Sequence, residues 1–330
     1  MKTPELERII DLCQRGTPWI TLRECGRVEY GSASFPLLGL TIGSSDRSAP
    51  TLGLFGGVHG LERIGSHVVL NVLESLVARL SWDRWLQQQL EQARIVSMPV
   101  VNPYGIAHRT RANGNGVDLM RNAPVDAQGA VTPLVGGHRI GSWLPWYRGA
   151  EGEPMQVESQ TLIDFVVEEM FDSAFGIALD VHSGFGLVDR LWYPYARQQG
   201  GYEHEVACTR LADRLAEYDA HHVYRIEPQS KQYTTHGDLW DYAYDRHRSA
   251  RGANGRVFLP WTLEMGSWAW VRKNPSQLFN ALGAFNPIKP HRYARTMRRH
   301  SRLVDFLWTL LLSGPETLSP HHGAAAPGSR

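Results

Sequence analysis

Short apolar segments alternate along this chain with segments that have the periodicity of amphipathic helices. A short apolar run between turn residues is typical of a strand covered on both faces, and strands that alternate with helices are typical of α/β proteins. Strands are predicted at 36–42, 51–57, 94–101, 175–181, 222–227 and 257–264. Helices are predicted at 4–15, 62–80, 83–93, 157–171, 203–218, 236–247 and 291–312. We therefore expect an α/β fold in three layers, with helices flanking one central twisted sheet that is mixed but mostly parallel.

A single domain is expected to span residues 1–312, because no linker or internal repeat divides this part of the sequence. With 330 residues, of which 42% are hydrophobic, the chain is long enough to bury one large core. Residues 313–330 are rich in Gly, Pro, Ala and Ser, a composition that is typical of disordered segments. They are predicted to form a disordered tail.

Charge and hydropathy give no support to two classes of partner. The formal net charge is +1, so there is no electrostatic reason to expect nucleic-acid binding. The apolar run 306–312 is much shorter than the roughly 20 residues of a membrane-spanning helix, so no membrane association is expected.

The three cysteines lack metal-type spacing, and the first residues are charged where a signal peptide would be apolar. These features predict a cytoplasmic location.

Three side chains near predicted strand ends are candidate metal ligands. His59 and Glu62 follow the apolar run 51–57, and His182 follows the apolar run 175–181. Zinc favours nitrogen and oxygen ligands, and hydrolytic zinc sites typically use three protein ligands. A His-x-x-Glu sequence is common by chance, however, and a single histidine after a strand is more often a hydrogen-bonded core residue. The metal interpretation therefore depends on agreement with the rest of the sequence.

A carboxylate at the end of another apolar segment supports the interpretation of a hydrolytic metal site. Glu264 ends the predicted strand 257–264. Apolar neighbours can raise the pKa of a carboxyl group, which suits it to act first as a general base and then as an acid. Because burial of an unpaired charge is costly, Glu264 needs either a catalytic role or a buried arginine as its partner.

The order of these segments resembles that of the zinc carboxypeptidase family (peptidase family M14), over roughly residues 50–270. The family pattern is a His-x-x-Glu pair, an arginine before a Gly-Val-Asp-Leu-x-Arg-Asn segment, a strand-end histidine, a tyrosine four residues before a glycine, and a strand-borne glutamate. In this sequence the matching positions are His59, Glu62, Arg111, 116–122, His182, Tyr233, Gly237 and Glu264.

The resemblance implies a carboxypeptidase-like fold and one Zn²⁺ per chain. The metal ligands would be His59, Glu62 and His182. Glu264 would be the general base and acid, and Arg111 would stabilise the oxyanion that forms during hydrolysis. Arg109, two residues before Arg111, is the alternative for that role.

The resemblance also implies a set of substrate contacts. Arg121 would bind the terminal carboxylate of a peptide, since a planar guanidinium can hold a carboxylate through two hydrogen bonds. Tyr233 and Asn122 would make further contacts with the substrate. Met120 departs from the family, which has an asparagine at this position, so an amide donor is lost. Without this donor, the enzyme need not strictly require a substrate with a free C-terminus, unless Asn122 or Asn113 supplies the donor.

Two further residues are predicted to lie around the site. Asp180, two residues before His182, is a candidate to accept a hydrogen bond from that ligand, because ligating histidines usually donate their second N–H to a carboxylate or carbonyl. An alternative is that Asp180 caps a loop. Trp240, just before Asp241, lies by the spacing from Tyr233 where the family has its side-chain pocket.

Three functions remain open from the sequence. The first is a zinc metallocarboxypeptidase that removes the C-terminal residue of a peptide, which Tyr233 and Glu264 favour. The second is a related zinc amidohydrolase that acts on N-acyl amino acids or cell-wall peptides, which Met120 favours. The third is a protein that keeps the fold and the metal without turnover. The expected partner is accordingly a peptide or an acylated amino acid.

Overall fold

An eight-stranded sheet forms the centre of the protein in a computed structural model that describes residues 3–184, 186–251 and 255–319. The strands are β1 (Ile20–Tyr30), β2 (Ala33–Gly43), β3 (Thr51–Gly56), β4 (Arg94–Met98), β5 (Phe175–Gly184), β6 (Arg190–Tyr193), β7 (Arg225–Pro228) and β8 (Val257–Gly266). Their spatial order is β1-β2-β4-β3-β5-β8-β6-β7. Pairs β4–β3, β3–β5, β5–β8 and β6–β7 are parallel, and the other pairs are antiparallel. The predicted mixed, mostly parallel sheet is confirmed.

Helices pack on both faces of this sheet. They are α1 (Pro4–Gly16), α2 (Arg63–Leu80), α3 (Arg84–Gln92), α4 (Pro103–His108), α5 (Val157–Met170), α6 (Glu205–Tyr218), α7 (Leu239–Arg251), α8 (Trp268–Lys273) and α9 (Pro290–Ser313). On β3, the α-carbon of Gly53 faces Met170 of α5, whereas that of Gly56 faces Gly65 of α2. Since odd and even positions of a strand point to opposite faces, α5 and α2 cover opposite sides. The protein therefore has the predicted three layers, with the sheet between two layers of helices.

Every strand and helix predicted from the sequence is present, but the sheet has two strands that were not predicted. β1 is an edge strand with many charged and half-exposed residues, and its register shifts between Glu24 and Gly26. β6 has four residues. Neither strand contains a long apolar run, because β1 is not buried on both faces and β6 is too short. The pattern that identifies core strands therefore misses both.

The end of the described chain is more ordered than predicted. Helix α9 extends to Ser313, and Pro315–Leu318 form a short 3₁₀ helix. The side chain of Leu318 is buried against the core, which explains why these residues are ordered. The predicted tail thus begins too early, and its remaining residues, 320–330, lie outside the described residues. The extent of the catalytic domain, 1–312, stays a prediction.

Two further features of the described chain bear on the expectations from composition. Cys13, Cys25 and Cys208 are all free thiols. Among the helices of residues 3–184, 186–251 and 255–319, none combines the length and the apolar character that a bilayer-crossing segment needs.

Candidate active site and metal centre

The predicted ligands meet at one edge of the sheet. Strands β3, β5 and β8 are parallel neighbours, so their carboxyl ends lie side by side. His59 and Glu62 follow β3, and His182 lies near the end of β5. Glu264 is paired with His182 in the register of β5 and β8. Ligands of α/β proteins bind at this kind of edge, beyond the carboxyl ends of the strands.

A glycine allows the close approach that brings Glu62 to this edge. Glu62 is the residue just before α2. A Cβ at Gly65, in the first turn of α2, would collide with the carbonyl oxygen of Val181 in β5. The absence of a side chain there lets the start of α2 lie directly on the end of β5. Glu62 is thereby held next to His182.

Glu62 lies between the two imidazoles. Nδ1 of His59 is 3.0 Å from Oε1 of Glu62, and Nδ1 of His182 is 3.1 Å from Oε2. The backbone N–H of Ser183 also donates to Oε2, at 2.9 Å. Burial alone would raise the pKa of Glu62, but the imidazoles of His59 and His182 hold it well below its usual range. Glu62 is therefore an ionised carboxylate inside the protein.

The far side of each imidazole is bound to an aspartate. Nε2 of His59 lies 2.9 Å from Oδ1 of Asp118, and Nε2 of His182 lies 2.8 Å from Oδ2 of Asp180. A neutral imidazole carries one N–H, so donation from Nε2 to these carboxylates would leave the lone pair of each Nδ1 for a metal ion beside Glu62. This is the arrangement in which a histidine binds a metal. The predicted hydrogen bond between Asp180 and His182 is present.

The donor set fits a zinc ion. One ligand atom each of His59, Glu62 and His182 lie within 4.8 Å of one another, and all three side chains are buried. Two neutral nitrogens and one carboxylate oxygen make a typical three-ligand set for hydrolytic zinc. The carboxyl groups of Glu62, Asp118 and Asp180 are buried around this cluster, and oxygen atoms of this kind suit a divalent cation.

Glu264 lies across the cavity from Glu62. Burial and the negative charge of Glu62 raise the pKa of Glu264 to about 8. A Cβ at Gly184 would collide with Oε1 of Glu264, so the carboxyl group lies directly over the glycine. The side chain is placed where the sequence predicts a general base, close to the metal ligands and facing the same cavity.

Arg111 is held rigidly at the edge of the ligand cluster. Its Nε donates to Oδ2 of Asp118 at 2.8 Å, and its Nη1 donates to Oε1 of Glu62 at 3.1 Å. Burial alone would lower the pKa of Arg111, but the carboxylates of Asp118 and Glu62 raise it above its usual value. The ring of Trp146 lies 5.9 Å from the guanidinium carbon. The rival residue Arg109 is exposed and caps α4.

The predicted substrate residues Arg121 and Tyr233 line the same cavity, whose volume is about 490 Å³. Nε of Arg121 donates to the carbonyl of Val135 at 3.2 Å, and Nη1 donates to that of Met120 at 3.3 Å. These contacts fix the guanidinium in the cavity wall. Burial raises the pKa of Tyr233, so the phenol keeps its proton. The side chain of Met120 also lines the cavity.

Asn122 does not fit its predicted role as a substrate contact. Its Nδ2 donates to the carbonyl of Arg148 at 3.1 Å, and its Oδ1 accepts from the backbone N–H of Gln156 at 2.6 Å. The amide is used to hold the loop that follows. Asn113 is likewise bound elsewhere, to Tyr30 and to other polar groups. Neither asparagine is among the cavity residues, so neither replaces the donor lost at Met120.

Trp240 also differs from its predicted place at a side-chain pocket. It is 3% exposed, packs against Phe55 and donates from Nε1 to Oδ2 of Asp180 at 2.9 Å. The indole is thus part of a buried chain of hydrogen bonds that runs from Trp240 through Asp180 to His182. The sequence predicts the contact between Asp180 and His182 but not that with Trp240, which is 60 residues away in order and is brought close only by the fold.

Asp118 also supports the candidate ligands, a role that the sequence pattern does not assign to it. It accepts hydrogen bonds from His59 and from Arg111, and so joins two parts of the site. These bonds hold its pKa well below the usual range, although burial alone would raise it. The signal was available, since Asp118 is the aspartate of the Gly-Val-Asp segment.

The hydrogen bond from Trp240 leads to a prediction about metal affinity. Trp240→Phe should weaken zinc binding by roughly 10- to 100-fold, because Asp180 loses a donor that orients it towards His182. The dissociation constant is measured by competition with a chelator, with Trp82→Phe, a change at an indole that is 70% exposed, as the control. Equal affinity in the two variants would show that Trp240 only fills the core.

Comparison with known proteins agrees with this geometry. The family model described as "Zinc carboxypeptidase" matches residues 32–267. Carboxypeptidase SOL1 of Arabidopsis thaliana is 31% identical over 130 residues, which cover 38% of this chain and 26% of that protein. The chain therefore spans about a quarter of the length of this relative.

Solved structures share the fold over most of their length. Bovine thrombin-activatable fibrinolysis inhibitor, solved in complex with tick carboxypeptidase inhibitor, superposes with a TM-score of 0.65 at 18% identity, over 93% of this chain and 95% of that chain. Carboxypeptidase A of Helicoverpa armigera superposes with a TM-score of 0.56 at 18% identity, over 89% of this chain and 71% of that chain. At such identities the superpositions show a shared fold.

Proposed function

This chain belongs to the zinc carboxypeptidase family, and from that premise we propose that it is a zinc-dependent carboxypeptidase that removes the C-terminal residue of peptides. The observation that carries the proposal is the single cavity that joins three kinds of group. It contains the ligands His59, Glu62 and His182, the carboxyl group of Glu264, and the guanidinium groups of Arg111 and Arg121.

Peptide hydrolysis needs a nucleophile at neutral pH and stabilisation of an oxyanion. A zinc ion held by His59, Glu62 and His182 would lower the pKa of a bound water towards about 7 and polarise the peptide carbonyl. Glu264 would take one proton from the attacking water and deliver it to the nitrogen of the leaving amino acid. Arg111 would donate hydrogen bonds to the oxygen that becomes negative.

Arg121 and Tyr233 would bind the end of the substrate. Their side chains line the cavity together with Glu264, and the guanidinium of Arg121 is fixed by two carbonyl groups. A guanidinium in a buried wall forms strong hydrogen bonds to a carboxylate, because the surroundings compete little for its donors. The free carboxylate of a peptide C-terminus is the substrate group that matches it.

A second function is supported by Met120. Its thioether lines the cavity where an amide donor is expected, and neither nearby asparagine replaces that donor. Recognition of the terminal carboxylate then depends chiefly on Arg121. This favours a related amidohydrolase of N-acyl amino acids or cell-wall peptides, whose substrates place the scissile amide differently. A protein without turnover is the third possibility, against which the position of Glu264 argues.

The two enzymatic functions are distinguished by a peptide library with free and amidated C-termini. The zinc-loaded protein is incubated with both halves, and the products are identified by mass spectrometry. A carboxypeptidase should release single residues from the free half alone. Release from neither half, together with hydrolysis of N-acyl amino acids or cell-wall peptides, would favour the amidohydrolase. Bound zinc without hydrolysis of any of these substrates would favour a protein that keeps the fold and the metal without turnover.

Replacement of Arg121 by methionine tests recognition of the carboxylate. Arg121→Met should lower kcat/KM for free peptides by roughly 10- to 100-fold, since a hydrogen bond to a charged group contributes about 1.5–3 kcal/mol. The matched control is Arg109→Met, a change at an exposed arginine nearby. If the two variants hydrolyse free peptides at the same rate, Arg121 does not bind the carboxylate.

A further inference from the structure

One wall of the active-site cavity is polar and lies away from the metal ligands. It is formed by β6, by the end of β8 and by the short 3₁₀ helix Gln229–Lys231 with the residues that follow it. Its cavity-facing side chains are Arg190, Trp192, Gln229, Gln232 and Thr262. None of them takes part in the proposed reaction, so this polar wall needs another explanation.

Arg190 lies next to the catalytic carboxylate in the sheet. It is directly opposite Glu264 in the antiparallel pair of β6 and β8, so the two side chains leave the same face. Trp192, two residues further on β6, lies on that face as well. The Arg190 side chain is 17% exposed, and its Nη1 would be 2.7 Å from a Cβ at Gly186. The guanidinium therefore extends along the cavity wall.

The carboxylate that pairs with Arg190 is shared with other groups. Its Nε lies 3.4 Å from Oε1 of Glu227, a buried carboxylate of β7. Oε2 of Glu227 is also 3.1 Å from Nε of Arg225, and Nε2 of Gln232 donates to Oε1 at 2.8 Å. One carboxylate thus serves two guanidiniums and an amide. Of the two guanidiniums, that of Arg190 lines the cavity, whereas the Arg225 side chain is 63% exposed.

Trp192 connects this wall to the place predicted for the end of the substrate. Its ring lies edge-on to that of Tyr233, with centroids 6.1 Å apart. A group bound along the polar wall would therefore lie beside the substrate end that Tyr233 contacts in the proposed function.

The cavity has no acidic group left for a basic side chain. Of the described residues that line it, only Glu62 and Glu264 are carboxylates. Glu62 is a metal ligand in the proposed reaction, and Glu264 is the general base. A lysine or arginine at the end of the substrate would therefore meet the guanidinium of Arg190 without a carboxylate in the cavity to bind it.

We propose that this polar wall binds the side chain of the C-terminal residue, and that it selects peptides ending in a negatively charged residue, with Arg190 as the group that recognises the charge. The proposal rests on the proposed function, since it assigns the residue that the carboxypeptidase releases. Arg190 supplies the charge, and Trp192 forms the part of the wall beside Tyr233.

Four peptides that differ only in the last residue, Glu, Gln, Lys or Leu, test the proposal with the zinc-loaded full chain. The pair Glu and Gln is decisive because the two side chains have the same shape. The kcat/KM for the peptide ending in Glu should exceed that for the peptide ending in Gln by at least about tenfold, as expected for a charged acceptor on a guanidinium. The peptide ending in Lys should be the poorest substrate.

Arg190→Gln should reduce the Glu-to-Gln ratio to about one. Arg225→Gln is the matched control, because Arg225 contacts the same Glu227 but its side chain is 63% exposed. This control should keep the wild-type ratio. Zinc content and the unfolding temperature of both variants establish that they are folded.

Several results would overturn the proposal. A wild-type ratio at or below one would do so, whether or not Arg190→Gln folds. An unchanged ratio in Arg190→Gln, or an equal loss for all four peptides, would place the role of Arg190 elsewhere. Release of Gln, Leu or Lys without a preference for Glu would leave the carboxypeptidase function intact. Release from none of the four peptides would reject the proposed function itself.

Discussion

Glu264→Gln should lower kcat by at least about 100-fold while the protein keeps one zinc ion per chain, which is the loss expected when a general base is removed. The glutamine amide has nearly the same shape as the carboxyl group but cannot accept the proton. Glu264 is not one of the three ligand residues, so zinc binding should be retained. The cavity should also keep its form.

The measurement combines steady-state kinetics with metal analysis after dialysis. Glu151→Gln, a change at an exposed carboxylate, is the control for an effect of charge alone. Activity within a few fold of the wild type would reject the role of Glu264 as base. A loss of zinc together with activity would instead show that Glu264 supports the metal centre, and the kinetic loss could no longer be attributed to proton transfer.

His182→Ala should lower zinc affinity by roughly 100-fold or more, so that dialysed protein contains well below one zinc ion per chain. The change removes one of three ligands and leaves only His59 and Glu62 to hold the ion. It also leaves Asp180 and one oxygen of Glu62 without the imidazole between them. The loss of these buried hydrogen bonds should also lower the free energy of unfolding.

Zinc content is measured directly, so the result does not depend on which substrate the enzyme uses. His221→Ala, at an exposed histidine, is the matched control and should retain full zinc content. Circular dichroism establishes that both variants are folded. Stoichiometric zinc in His182→Ala would mean that the third ligand is another residue and that the cluster of His59, Glu62 and His182 is not the metal site.

Burial explains which strands can be predicted from the sequence. Strands such as β3 and β5 are covered on both faces, so most of their residues are apolar and the pattern is visible in the sequence. Strand β1 is at the edge of the sheet and mixes charged with apolar residues, and β6 is only four residues long. In neither does burial impose a pattern strong enough to recognise.

The residues of the site also differ in how far the local sequence predicts them. His59 and Glu62 are close in sequence and follow a buried strand, so local geometry suffices to predict that they act together. Arg190 carries no such signal, because its importance depends on the strand opposite it and on the charges of β7. The position of Asn122 in the family pattern predicts a substrate contact, but its amide instead forms hydrogen bonds with the loop that follows.

The sequence by itself determined the α/β class, the buried strands and the candidate metal ligands His59, Glu62 and His182, together with the position of Glu264. These features depend on short-range patterns, in which a buried strand delivers the residues at its end. Only the tertiary structure decided that Asp118 and Trp240 support the ligands, that Asn122 faces a loop, and that Arg190 faces the cavity. The physical reason is that hydrogen bonds and charge balance inside a core depend on side-chain directions across several strands, which residue order alone does not specify.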